Sequence, residues 1–148
     1  MGMGDKIAAQ PAGYSGTPLA RKLGIKPGFN IRLINAPKHY FTLFIDLPAD
    51  LQINNESAQL KDIIHFFTKE KNESINMLPE LKSRIKPNGM IWVSWPKKSS
   101  KVATDITEDT IRNFALQNGL VDIKVCAVDE VWSGLKLVIT VGDRCLMG

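Results

Sequence analysis

Helical spacing of apolar residues first appears near the start of the chain, where Leu19 and Leu23 lie one turn apart. Thr17 can cap the free amides of a helix start, and Pro18 suits the first helical position because no amide partner is needed there. The apolar run at 29–34 follows after a turn and is rich in residues that favour strands. The pattern therefore predicts a short helix and then the first strand.

The next apolar segment, residues 40–47, supports two interpretations. Its aromatic and β-branched residues have high strand propensity. Tyr40, Phe44 and Leu47 nevertheless share one helical stripe, and Pro48 suits the end of a helix. A parallel sheet needs a crossover after its first strand, and this segment is the one available for it. We therefore expect a short helix here.

Strands and helices alternate along the rest of the chain. The connection at 129–134 is too short for a crossover helix, so the last two strands must be antiparallel. This order predicts an α/β fold, a three-layer Rossmann-like sandwich with a mostly parallel sheet and a C-terminal antiparallel hairpin. The predicted elements are strands at 51–54, 62–67 and 90–95, a helix that opens at Thr68 and is kinked or broken at Pro79, a turn at 86–89, a helix capped by Thr107, and strands at 121–128 and 135–141.

Length and composition fit one globular domain. The chain has 148 residues, 44% of them hydrophobic and 23% charged, which is ordinary for a folded domain. We expect a flexible tail at 1–13 and a single α/β domain at 14–148. No apolar run approaches the roughly 20 residues that cross a bilayer, and the start of the chain lacks the apolar stretch of a signal peptide. These patterns predict a cytoplasmic protein without membrane contact.

The net charge and the spacing of the Cys and His residues argue against two kinds of partner, nucleic acid and metal ions. The formal net charge is +4, but acidic residues are interspersed and no Lys/Arg block occurs, so the charge pattern argues against nucleic acid as a partner. Cys126 and Cys145 lack the spacing of a metal site, and His39 and His65 stand alone. We therefore predict no metal, a packed thiol at Cys126 and a core histidine at His65.

Two turns and the terminal hairpin resemble those of the class I S-adenosylmethionine-dependent methyltransferases in a shortened form. The turns are 26–28, before the first strand, and 86–89, before a later one. In that family a glycine-rich loop after the first strand holds the cofactor. Here Ala36 adds a side chain in that loop and Pro37 removes an amide donor, and 54–56 offers only a displaced acid for the ribose. We therefore expect no cofactor.

Three short sequence segments carry a closer resemblance, to a second family. Residues 12–19, 92–97 and 131–136 are similar to those of a small bacterial family of uncharacterised proteins that bears a domain-of-unknown-function label. The resemblance covers nearly the whole length and implies the Rossmann-like, methyltransferase-like fold and a bacterial cytoplasmic origin. It implies no activity.

A candidate ligand site follows from the predicted topology, because open parallel sheets bind ligands outside the carboxyl ends of their strands. Two lysines beside a tryptophan could hold a small anionic ligand. The alternative is that the tryptophan anchors the core while the lysines only solubilise a loop. Trp132, in the short connection of the hairpin, is predicted to be a packed residue. The predicted ligand-binding residues are Asn35, Lys38, Thr68, Trp95, Lys97 and Lys98.

The function best supported by the sequence is therefore a non-catalytic domain that binds a small anionic ligand. Two alternatives stay open. One is a divergent S-adenosylmethionine-dependent methyltransferase, and the other is an interaction module that presents a mildly basic surface to a protein or nucleic acid.

Overall fold

The computed structural model describes residues 18–54 and 58–142. The predicted tail at 1–13, the capping residue Thr17 and Cys145 lie outside these ranges. The elements in chain order are α1 (Leu19–Leu23), β1 (Asn30–Ile34), a 3-10 helix (Tyr40–Leu43), β2 (Gln52–Ile53), β3 (Lys61–Phe67), α2 (Lys71–Ser83), β4 (Ile85–Pro96), a second 3-10 helix (Lys98–Ser100), α3 (Glu108–Gln117), β5 (Leu120–Ala127) and β6 (Trp132–Ile139).

One six-stranded sheet organises the described residues, in the order β2-β1-β3-β4-β6-β5. The strands β2, β1, β3 and β4 run parallel to one another. The last two strands form the predicted hairpin, and β6 runs antiparallel to both β4 and β5. The predicted Rossmann-like α/β fold, with a mostly parallel sheet and an antiparallel C-terminal pair, is confirmed.

Helices cover both faces of this sheet. Successive strand residues point to opposite sides, so each face has its own set of side chains to pack against a helix. On one face, Ile64 and Phe66 of β3 share a core with residues of α2 and α3, among them Leu78 and Ile111. On the other face, α1 and the first 3-10 helix pack on the sheet, where Trp92 belongs to a second core. The protein is thus built in three layers.

The helix within the crossover between β1 and β2 is shorter than the predicted helix at 40–47. Only Tyr40–Leu43 is helical, as a single 3-10 turn, and Phe44 is already extended with φ −108° and ψ 135°. Tyr40 and Leu43 are buried, whereas Phe41 is half exposed. The short segment buries Tyr40 against the sheet, and one turn is enough to do so.

Three boundaries in the middle of the chain differ from the predictions. The second helix, α2, begins at Lys71 rather than at Thr68, and it runs through the exposed Pro79 without a break. The predicted turn at 86–89 lies within β4 as a bulge, because Lys61 pairs with Ile85 whereas Ile63 pairs with Met90. Turn-forming residues are accommodated there without ending the strand.

The C-terminal half follows the sequence except at its last strand, because β6 spans Trp132–Ile139 rather than 135–141 and Trp132 lies in the strand rather than in the connection. The Thr107 hydroxyl accepts a hydrogen bond from the Thr110 N–H and caps α3, as predicted. The helix ends at Asn118 and Gly119, where Gly119 has φ +75°. None of the helices in the described ranges is long and apolar enough to span a membrane.

Candidate functional site

The order of the strands reverses between β1 and β3. From β1 the sheet extends to β2 on one side and through β3 to β4 on the other. Ligands of open parallel sheets bind at such a reversal point, beside the carboxyl ends of the strands. A cleft of about 420 Å³ opens there, which is within the size range of small-molecule sites. We call it the switch cleft, and its lining residues are Asn35, Pro37, Phe67, Thr68, Lys69, Glu70, Glu73 and Trp132.

Asn35 closes one side of the switch cleft. It is the first residue after β1 and has a left-handed backbone conformation with φ 59°, which asparagine tolerates better than most residues. Its side-chain amide donates to the Phe67 carbonyl oxygen at 3.1 Å and to Glu73 Oε2 at 3.0 Å. Both amide hydrogens are therefore in use, and Asn35 ties the end of β1 to β3 and α2.

Thr68 closes the other side, directly after β3, and is buried. Its N–H donates to the Ser94 carbonyl oxygen at 3.0 Å. Its hydroxyl donates to Glu73 Oε1 at 2.6 Å and accepts from the Glu70 N–H at 3.2 Å. Glu73, in the first turn of α2, thus receives a hydrogen bond on each carboxylate oxygen. This carboxylate is the polar centre of the switch cleft.

An aromatic wall stands beside that carboxylate. The rings of Phe67 and Trp132 meet edge to face, with centroids 5.1 Å apart and planes at 90°. Trp132 reaches the cleft because β6 is antiparallel to β4, so that its first residue pairs with Pro96 at the carboxyl end of β4. Trp132 is 9% exposed. It is packed, as predicted, and it also lines the cleft.

Asp129 stabilises the β5–β6 turn that precedes Trp132. Its Oδ1 accepts hydrogen bonds from the N–H groups of Val131 and Trp132, both at 2.8 Å. Its Oδ2 lies 3.0 Å from His39 Nε2, in the segment after β1. One largely buried carboxylate therefore joins the β5–β6 turn to the crossover at the mouth of the cleft.

We expect Asp129→Ala to lower the free energy of unfolding by about 2 kcal/mol, because the buried N–H of Trp132, the partly buried N–H of Val131 and His39 lose their acceptor. Asp129→Asn keeps an acceptor for the two N–H groups and should cost less. Urea denaturation checks both variants. Glu130→Ala, at the exposed neighbouring position, is the matched control and should change stability by about 0.5 kcal/mol or less. Equal losses for Asp129→Ala and Glu130→Ala would contradict this role.

A neutral hydrogen-bonded network supports the aromatic wall from below. His65 of β3 is fully buried, with the Tyr40 hydroxyl 3.0 Å from Nδ1 and the Ser94 hydroxyl 2.8 Å from Nε2. Its ring stacks on Phe67 at 4.3 Å. Burial lowers the pKa of His65 to about 3 and raises the pKa of Tyr40. The predicted core histidine is confirmed, and near neutral pH it is uncharged.

The structure brings together only some of the predicted site residues. Asn35 and Thr68 line the switch cleft. Lys38 is exposed beyond Pro37, and Lys97 and Lys98 follow β4 outside the cleft lining. The Lys97 N–H donates to the Val131 carbonyl oxygen at 2.7 Å and so continues the hairpin ladder.

Trp95 is placed differently from the prediction. It is 7% exposed and belongs to the core under α2 and α3. Residues of a strand alternate between faces, so Trp95 and Trp92 point to opposite sides of the sheet. The tryptophan of the cleft is Trp132, from the neighbouring strand.

Sequence reasoning missed Glu73 and Asp129 and treated Trp132 as a packing residue only. Glu73 carries no recognisable motif, because its position depends on where α2 begins. For Trp132 a signal existed, since the first residue of an antiparallel strand must lie near the carboxyl end of the parallel strand beside it. Among the described residues, no group of three or more His, Cys, Asp or Glu side chains could hold a metal ion.

Solved structures with a similar fold include methyltransferases. A putative methyltransferase from Thermoplasma acidophilum matches with a TM-score of 0.55 and 10% identity, over 86% of this chain and 76% of that one. A SAM dependent methyltransferase from Aquifex aeolicus gives 0.55 and 13%, over 82% and 88%. The magnesium protoporphyrin IX methyltransferase from Synechocystis PCC 6803 with bound SAM gives 0.56 and 11%, over 82% and 74%. At these identities the likeness concerns the fold alone.

The residues at the switch cleft do not fit the cofactor of those enzymes. Asn35, Ala36 and Pro37 stand where the glycine-rich loop is expected, and the Asn35 amide already binds Phe67 and Glu73. At the end of β2, where an acid would hold the ribose, Asn54 instead accepts a hydrogen bond from the Leu33 N–H at 2.7 Å. The described residues at this edge therefore combine a methyltransferase-like fold with side chains that do not fit the cofactor, and Glu56, the displaced acid, lies outside the described ranges.

No curated protein matches the sequence. Residues 46–140 match the family described as "Protein of unknown function (DUF3052)". This range contains β2 to β6, α2, α3 and most of the residues that line the switch cleft. The chain therefore belongs to the DUF3052 family, whose function is unknown, and its own fold is methyltransferase-like.

Proposed function

We propose that the protein is a non-catalytic domain that binds a small ligand in the switch cleft. The observation that carries the proposal is the coincidence of a reversal in strand order, a cleft of about 420 Å³ and convergent polar and aromatic side chains at one place. Asn35, Thr68 and Glu73 hold one another, so the polar part of the site is formed before any ligand arrives. Preorganisation of this kind lowers the cost of binding.

A thermal-shift screen of nucleotides, amines, carboxylates and phosphorylated metabolites tests this function. A ligand that binds only the native state stabilises it, by about 2.7 kcal/mol at one hundred times its Kd. We expect at least one hit whose binding is lost in Trp132→Leu. If every hit binds Trp132→Leu as tightly as the parent protein, the switch cleft is not the site.

We also propose that Lys97 and Lys98 contact an anionic group of the ligand outside the lining of the switch cleft, with Lys38 at the same edge. We call this the outer contact. The double replacement of Lys97 and Lys98 by glutamine tests it, because both lysines are at least partly exposed and exposed charges add little to stability. Loss of binding by phosphorylated hits supports the outer contact. Unchanged binding assigns the two lysines to loop solvation.

A divergent S-adenosylmethionine-dependent methyltransferase is the second candidate, and the similarity of fold favours it. We expect no binding of S-adenosylmethionine at millimolar concentration, because the described residues at this edge, the glycine-free 35–37 loop and the engaged Asn54 side chain, offer no cradle for it. Calorimetry with the full chain measures this directly. Micromolar affinity would replace the binding-domain proposal by the enzyme. A bacterial, cytoplasmic origin remains part of the proposal.

A further inference from the structure

The side-chain and backbone donors of Asn35 and Thr68, and the backbone N–H of Glu70, are consumed within the protein. Both amide hydrogens of Asn35 go to Phe67 and Glu73, and the Thr68 hydroxyl hydrogen goes to Glu73. The backbone N–H groups of Thr68 and Glu70 also have acceptors, the Ser94 carbonyl and the Thr68 hydroxyl. A ligand that needs donors from these groups would have to break existing bonds.

Acceptors are left over. An ionised carboxylate has about four lone-pair sites, and each oxygen of Glu73 receives one side-chain hydrogen bond. The side-chain oxygen of Asn35 is an acceptor too. Glu70 adds a second carboxylate at the rim, where it is exposed. The polar side of the switch cleft therefore presents oxygen atoms with spare capacity.

The start of α2 does not reverse this preference. A helix N-terminus attracts anions through its free N–H groups, but the Lys71 N–H donates to Asp105 Oδ1 at 2.7 Å. Glu73 supplies a further negative charge in the first turn. The attraction that the helix end exerts on anions is thus largely satisfied by the carboxylates of the chain itself.

The aromatic wall adds to the attraction for a cation. The face of a tryptophan ring binds ammonium groups through the charge distribution of its π system, and Trp132 lies beside Phe67 in the lining. Among the described residues that line the switch cleft, one lysine, Lys69, stands against two glutamates. The net charge of the lining is negative although the whole chain is positive.

Resting on the proposed function, we infer that the ligand of the switch cleft carries a small cationic group, a protonated amine or a quaternary ammonium, which Glu73 and the Trp132 ring receive. The volume of about 420 Å³ limits the ligand to a small molecule. The cationic group would lie inside the switch cleft, whereas the anionic group proposed for Lys97 and Lys98 would lie outside its lining.

Three probes of matched size test the ligand class in the full chain: 2-phenylethylamine, the neutral 2-phenylethanol and the anionic 3-phenylpropionate. Ligand-observed NMR and chemical-shift perturbation of the protein measure affinity and place. We expect the amine to bind at the switch cleft about tenfold more tightly than the alcohol, because hydrogen bonds between charged groups are the stronger ones. The carboxylate should bind more weakly than the alcohol.

Glu73→Gln, which keeps the side-chain shape and removes the charge, should lower the affinity for the amine about tenfold and leave that for the alcohol nearly unchanged. Glu80→Gln, on the exposed side of the same helix, is the control and should change neither. If Glu73→Gln fails to fold, the comparison of the three probes on the parent protein decides alone.

The outcomes separate the two proposals. Equal affinities for amine and alcohol, or tighter binding of the carboxylate, at cleft residues would overturn the cationic ligand and keep the binding site. Absence of any perturbation at the switch cleft, by these probes and by every hit of the wider screen, would overturn the site itself and the inference with it.

Discussion

Replacing Trp92 by alanine is expected to lower the free energy of unfolding by about 3–5 kcal/mol, the range for deleting a large buried aromatic side chain. Trp92 is the largest fully buried side chain of the described residues. Its indole N–H donates to the Leu23 carbonyl oxygen at 2.9 Å and so fastens the end of α1 to the sheet. Denaturant unfolding followed by circular dichroism measures the loss.

Two further variants separate the contributions at this position. Trp92→Phe keeps much of the ring but leaves the Leu23 carbonyl without its donor, so it should cost less than Trp92→Ala. Leu116→Ala, at an apolar side chain that is 53% exposed, should cost about 0.5 kcal/mol or less. A loss below about 1 kcal/mol for Trp92→Ala would mean that the core under α1 re-forms around the gap.

Trp92 also packs closely against the glycine of β6, Gly134. A Cβ atom added at Gly134 would lie 3.2 Å from the indole ring and 3.3 Å from the Ser94 hydroxyl. The absence of a side chain at Gly134 lets the large ring and the His65 network lie side by side under the hairpin. The packing beneath the switch cleft thus depends on residues from β3, β4 and β6 together.

The fold could be predicted from the sequence because the features that indicate it involve residues close together in the chain. Runs of apolar residues mark the strands, Thr107 and Gly119 mark the ends of α3, and a short connection makes the last pair antiparallel. The prediction was wrong where a distant contact decides the structure. The crossover helix shrinks to one turn in a segment where Tyr40 meets His65, 25 residues away in the chain.

The candidate site was predictable only in part, for the same reason. Asn35 and Thr68 follow from the rule that ligands bind at the carboxyl ends of parallel strands. The lysines after β4 do not join them, because the Lys97 N–H extends the ladder toward Val131 and carries the chain along the hairpin. Which hydrogens of Asn35 and Thr68 remain free, and hence the charge that the cleft prefers, depends on Glu73, and only the folded structure gives that.

The second large expected effect is a loss of stability as the pH falls. Burial lowers the pKa of His65 to about 3 in the folded protein, whereas a histidine in an unfolded chain titrates at about 6.5. Between these values the unfolded chain binds a proton that the folded protein does not, so unfolding becomes easier as the pH falls. The contribution of this group to stability is complete above about pH 6.5 and is lost progressively toward about pH 3.

We therefore expect His65 alone to reduce the free energy of unfolding by about 2 kcal/mol between about pH 7.5 and about pH 5. The measurement is the difference between the parent protein and His65→Gln at each pH, since the other titrating groups are common to both and cancel. A glutamine side chain does not titrate, so the advantage of the parent protein should shrink steadily on acidification. A constant difference across this range would mean that His65 takes up a proton in the folded state, and the network with Tyr40 and Ser94 would then hold an imidazolium rather than a neutral ring.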